Sequence, residues 1–182
     1  MSENGSILLA LARSALADAF GLCEDAAQAV PAWAEEDGAT FVTLTQGTDL
    51  RGCVGSLGAY RPLVRDVQSN AVAAAFHDTR FAPLSPQELD STRIEVSLLS
   101  AITALPAGSE DEAKQALRPR IDGVVFQWRA HRSTFLPQVW EQLPDPASFL
   151  QQLKRKAGLP ADFWAPDVVI SRYSVTRWKE AG

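Results

Sequence analysis

The chain has 182 residues, 46% of them hydrophobic and 21% charged, which is the make-up of one globular domain with a core of its own and excludes a fibre or an unfolded tail. Its 22 acidic against 17 basic side chains leave a net charge of −5, the wrong sign for a phosphate backbone, so no nucleic-acid partner is expected. The start, Met1-Ser2-Glu3-Asn4-Gly5, puts no positive charge ahead of the short apolar run Ile7 to Leu11, and no stretch approaches the ~20 apolar residues of a membrane span, so the expectation is a cytoplasmic protein without a membrane partner.

Hydrophobic spacing predicts a first helix over about 6–20, where Leu8, Leu11, Ala12, Ala15, Leu16 and Phe20 fall on one face and Gly21 can cap the end. The β-branched run Thr40 to Thr45, the turn residues Gln46-Gly47-Thr48-Asp49 and a second extended run, Leu50 to Leu57, predict a β-hairpin. A helix over about 61–76 follows, with Pro62 in its first turn and Leu63, Val64, Val67, Ala71, Ala74 and Ala75 along one face. Ser85-Pro86-Gln87-Glu88 has the form of a capping box that starts a short helix. Strands are predicted over Arg93 to Ser100 and Asp122 to Trp128, with a short helix between them over Ser109 to Leu117. A helix over 146–157 closes with Lys154-Arg155-Lys156, cations that favour its carbonyl end, and Asp167 to Trp178 reads as extended. Strands joined by hairpins and helices, without a βαβ rhythm, point to an α+β fold with an antiparallel or mixed sheet flanked by helices. No repeat or linker divides the chain, so residues 1–182 read as a single unit.

The run Leu50-Arg51-Gly52-Cys53-Val54-Gly55 stands out chemically. Period-two geometry puts Leu50 and Val54 on one face and Arg51 and Cys53 together on the other, where the guanidinium could stabilise a thiolate. Gly52 and Gly55 leave room for a ligand, a partner or another backbone segment. The plainer reading makes Cys53 a small buried hydrophobe and the glycines a seat for a crossing helix. Cys23 and Cys53 are expected as free thiols, and with His77 and His131 they offer no tight ligand pair for a metal.

This hexapeptide closely resembles the Leu-Arg-Gly-Cys-Ile-Gly signature of the AMMECR domain family (AmmeMemoRadiSam system protein A), with Val54 in place of Ile. The resemblance continues in order through Asp78-Thr79-Arg80-Phe81-Ala82-Pro83-Leu84, Ile94-Glu95-Val96-Ser97-Leu98-Leu99-Ser100, Thr134-Phe135-Leu136-Pro137-Gln138-Val139 and Lys156-Ala157-Gly158-Leu159, covering about 41–159. It implies a two-lobed α+β fold, with a larger and a smaller lobe, and an association with a Memo-like protein related to extradiol dioxygenases and with a radical SAM protein. It supplies no settled reaction, no cofactor and no catalytic residue.

Two functions of different class follow. The first is a binding or accessory component that presents the glycine-bearing strand to a small-molecule ligand or partner protein; its residues are Arg51, Gly52, Gly55, Asp78, Arg80 and Glu95. Asp78 and Arg80, with His77, fall in a loop after a long helix, where binding groups tend to be placed, and a His77–Asp78 contact could tune a base. Glu95 alternates with Ile94 and Val96 and could share a polar patch with Arg51 and Cys53. The second is a thiol-dependent enzyme with Cys53 as catalytic nucleophile and His77 or His131 as proton carrier. His131-Arg132-Ser133-Thr134 reads more simply as a polar loop.

Overall fold

The computed structural model describes residues 3–22 and 30–181. They form two compact units, one of the described residues up to Leu99 together with those from Thr176 onward, the other of Ser100–Val175. Among the described residues the fold is α+β, with four α-helices and two four-stranded antiparallel sheets.

In the first unit, helix α1 (Glu3–Ala19) and helix α2 (Leu63–Phe76) lie against a sheet built from β1 (Thr40–Gln46), β2 (Asp49–Gly55), β3 (Thr92–Leu99) and β8 (Val175–Lys179), in the order β2-β1-β3-β8. The helical periodicity names most of the core: Leu8, Leu11, Ala12 and Leu16 of α1, Val67, Ala71 and Ala74 of α2, and Val42, Leu44, Ile94 and Val96 of the strands are buried together. Helix α1 starts earlier than its sequence pattern, and its Gly5 is packed against Trp178, where a Cβ would stand 2.2 Å from the indole. The Ser85 capping box forms, with the Glu88 carboxylate accepting from the Ser85 amide at 2.8 Å, but it closes only a 3-10 turn, Pro86–Glu88.

The second unit holds β4 (Thr103–Leu105), β5 (Gly123–Trp128), β6 (His131–Phe135) and β7 (Val169–Tyr173) in the order β4-β7-β5-β6, with helices α3 (Glu110–Ala116) and α4 (Pro146–Lys156). The polar loop expected at 131–134 is strand β6, paired residue for residue with β5 from Trp128↔His131 to Val124↔Phe135. Its turn carries neither Gly nor Asn; Arg129 takes the left-handed conformation at φ 51, so the hairpin signal is missing. Lys154 is not a solvated end-of-helix charge: it is fully buried, and its ammonium donates to Glu110 at 3.0 Å. The extended run 167–178 is two strands, β7 and β8, which belong to different sheets. Cys23 lies outside the described residues.

Candidate functional site at the edge of the first sheet

Strand β2 is an edge strand, and its register explains where the signature residues point. Leu44 opposes Gly52 and Thr45 opposes Leu50, so Arg51 is an extra residue, a β-bulge, with no opposite number on β1. The bulge breaks the alternation assumed from the sequence. Val54 keeps to the core side, but Leu50 turns to the side of Thr45 and is 40% exposed.

The space above the glycines is filled by the protein. A Cβ on Gly52 would lie 2.0 Å from the Ala74 carbonyl oxygen of α2, and one on Gly55 would lie 2.2 Å from the Phe41 ring. Of the three occupants the sequence allowed at Gly52, the backbone of a crossing helix is the one present.

Cys53 pairs with Thr43, and Thr43 with Glu95, so the three stand in a row across β2, β1 and β3 on the face away from Val42 and Val96. The Cys53 sulfur and the Thr43 hydroxyl are 3.3 Å apart. Arg51 does not reach Glu95, because β1 lies between their strands. Its guanidinium instead donates to Glu88 (Nε–Oε1 2.9 Å, Nη2–Oε2 3.2 Å) and to the Ala82 and Pro83 carbonyls at 2.8 and 3.2 Å. Glu88 also takes bonds from the Ser85 amide and hydroxyl and from Gln46. Arg51 first, then the Ser85 amide, hold its carboxyl down at about 2.

The loop after α2 reaches the same strand. The Asp78 carboxylate accepts from the Cys53 amide at 2.9 Å and from the Arg80 guanidinium at 2.7 Å, and Arg80 Nη2 donates to the Cys53 carbonyl at 3.5 Å. Asp78 is therefore held far below the usual carboxylate range, chiefly by Arg80, against the opposing cost of its burial. Arg80 is pushed up, first by the Asp78 hydrogen bond and last by the charge of Cys53. The guanidinium that lies at the Cys53 peptide is thus Arg80's, while that of Arg51 is taken by Glu88.

His77 makes no bond to Asp78, whose partners are Cys53 and Arg80; with Ala15, Asp18, Arg65 and Ala73, His77 lines an open groove between α1 and α2. His131 belongs to the second unit, where Nδ1 meets the Ala157 carbonyl at 2.8 Å and the ring stacks on Trp128. Among the described residues, Thr43 is the hydrogen-bond partner of the Cys53 sulfur, and no group of three His, Cys, Asp or Glu side chains could hold a metal.

Sequence reasoning missed a second polar centre. Asp66, fully buried at the start of α2, accepts from the Thr40 amide and hydroxyl, Ser56, Arg61 and Asn70 at 2.7 to 2.9 Å. Its signal was present: Asp66 and Asn70 are spaced i, i+4 among core positions of one helical face, where two polar groups demand partners.

The family model described as AMMECR1 matches residues 9–178. A protein of Aeropyrum pernix is 35% identical over 184 residues, covering 90% of this chain and 79% of its own length. One from Thermotoga maritima is 38% identical over 142 residues, covering 76% of each. The crystal structure of an uncharacterized protein from Pyrococcus horikoshii matches with a TM-score of 0.87 at 28% identity, over 99% of this chain and 93% of that one.

Proposed function

The chain belongs to the AMMECR1 family, and on that premise we propose that it is a binding or accessory component, acting in the cytoplasm with a Memo-like protein and a radical SAM protein. The surface it presents is the Cys53–Thr43–Glu95 row. One observation carries this reading: Cys53 is framed rather than activated. Both of its backbone groups are bonded by Asp78 and Arg80, and its sulfur rests against a threonine hydroxyl instead of a base. A nucleophilic cysteine needs a base within hydrogen-bond reach, whereas a recognition face needs fixed geometry. The test is calorimetric titration of the purified chain with purified Memo-like and radical SAM proteins of the same organism. Saturable binding weakened about tenfold or more by Glu95→Lys supports the reading, since a reversed charge at a contact costs on the order of 1.4 kcal/mol or more. Absence of binding to either protein, or binding indifferent to Glu95→Lys, sinks it.

The second reading, a thiol-dependent enzyme using Cys53, draws on the Arg80 guanidinium, which stands 3.5 Å from the Cys53 carbonyl. The pH dependence of native Cys53 alkylation, with Cys23→Ser removing the other thiol, separates the two. Fast labelling with a midpoint well below the ordinary thiol value of about 8.5 favours the enzyme, and protection until unfolding favours the binding face.

A further inference from the structure

The side of β2 that points away from β1 is a sheet edge, the kind of surface that pairs with strands of other molecules unless something occupies it. At Cys53 both outward groups are occupied, but not by a strand. The Asp78 carboxylate takes the N–H at 2.9 Å, the Arg80 guanidinium gives to the C=O at 3.5 Å, and the two side chains join each other at 2.7 Å. An acceptor and a donor thus stand where the C=O and N–H of a neighbouring strand would be. The Arg51 bulge next to them twists the strand locally, a second device that discourages pairing.

We propose that the Asp78–Arg80 pair is a side-chain surrogate for a fifth strand, and that the edge it closes is an interaction surface whose occupant, once the pair is removed, is β2 of a second copy of this chain. The edge is self-complementary. A twofold axis at Cys53 sets the Cys53 residues opposite one another, and it sets Arg51 opposite Gly55 of the second copy, so that no like charges face each other and the long side chain meets a residue with none. The Leu50 side chain, exposed beside this edge, adds apolar area to such a contact. Arg80 is more than half exposed and Asp78 almost covered, so the guanidinium is the outer half of the latch.

The test uses the full chain carrying Cys23→Ser, with and without Asp78→Ala/Arg80→Ala, and Arg80→Ala alone as a milder variant should the double one lose its fold by circular dichroism. Sedimentation velocity over a concentration series reads association. A short thiol-to-thiol cross-linker reads its geometry, because residues directly opposed in an antiparallel hydrogen-bonded pair have Cα atoms ~5.5 Å apart. Amide exchange at Cys53 reads the edge itself. The expected result is exchange about tenfold faster in the dilute variant, from the loss of a charge-assisted bond, then concentration-dependent dimers that cross-link through Cys53. A folded variant that sediments as the parent does at every concentration overturns the proposal, and so do dimers that fail to cross-link at Cys53. None of the three readouts depends on the Memo-like or radical SAM proteins, so failure here and failure of the accessory role are distinguishable.

Discussion

Replacing Gly52 by alanine tests whether its bare backbone serves the fold or a ligand. The new methyl would sit 2.0 Å from the Ala74 carbonyl oxygen and 2.9 Å from its carbon, well inside contact distance. Both atoms are backbone of α2, whose Val67, Ala71 and Ala74 are buried in the first unit's core, so relief requires moving the helix rather than turning a side chain. Overpacking of a close-packed interior costs roughly 1–3 kcal/mol, and a backbone obstacle places this substitution at the upper end, about 3 kcal/mol. With a urea slope of about 1–3 kcal/mol per M, the first unit's midpoint should fall by about 1–3 M, followed by circular dichroism and by amide exchange in α2. Gly58→Ala is the control: its Cβ would meet only Tyr60 Cδ1 at 3.6 Å, an ordinary contact, and the change should stay within about 0.5 kcal/mol. A Gly52→Ala protein as stable as its parent refutes the packing argument. One that keeps its stability but loses partner binding would return the space to a ligand.

Arg51→Met should alter acid stability in a defined window. The folded Glu88 pKa is depressed to about 2, so its contribution is fully present above the unfolded value near 4.5 and is lost as pH falls from about 5 through about 2; the stability gap between parent and variant should therefore shrink over that range in urea titrations at pH 6, 4 and 2.5. A gap that widens on acidification contradicts the assignment. In the second unit, Glu110→Ala strands the fully buried Lys154 ammonium and should cost about 3–5 kcal/mol. Lys154→Met should cost less, since Glu110 retains some solvent and the Lys114 ammonium at 3.4 Å; the reverse order in chemical denaturation would defeat this account.

Periodicity located both long helices, the first hairpin, β3, β5 and α4, because each buries one regular face and that face is written in residue spacing. It failed where structure depends on partners distant in sequence. The Arg129 turn carries no special residue, so β6 hid as a polar loop. The 167–178 run divides at Ser174 because its halves pair with different sheets, which no local pattern encodes. At the site, motif order brought Arg51, Cys53, Asp78 and Arg80 to attention, and the fold does bring Asp78 and Arg80 onto the Cys53 peptide. Strand order decided the rest. With β1 between β2 and β3, Arg51 was left to Glu88, a residue the sequence marked only as half of a capping box. The bulge at Arg51, invisible in the sequence, moved Leu50 off the core face.

Strands β3 and β8 are neighbours in one sheet, yet the 75 positions between Leu99 and Val175 in the numbering separate them along the chain. The second unit is in effect the loop of a hairpin. Its ends are clasped, with the Ser100 amide donating to the Ser174 carbonyl and the Ser174 amide to the Ser100 hydroxyl, each at 2.9 Å. Synthesis therefore imposes an order on folding. The second unit has all its strands before the first unit receives its last one, and the Glu180 carboxylate that joins Arg13 to the Ile94 amide arrives later still. Strands β1 to β3 therefore emerge from the ribosome before the second unit and are completed after it, with the β3 edge open through the whole interval.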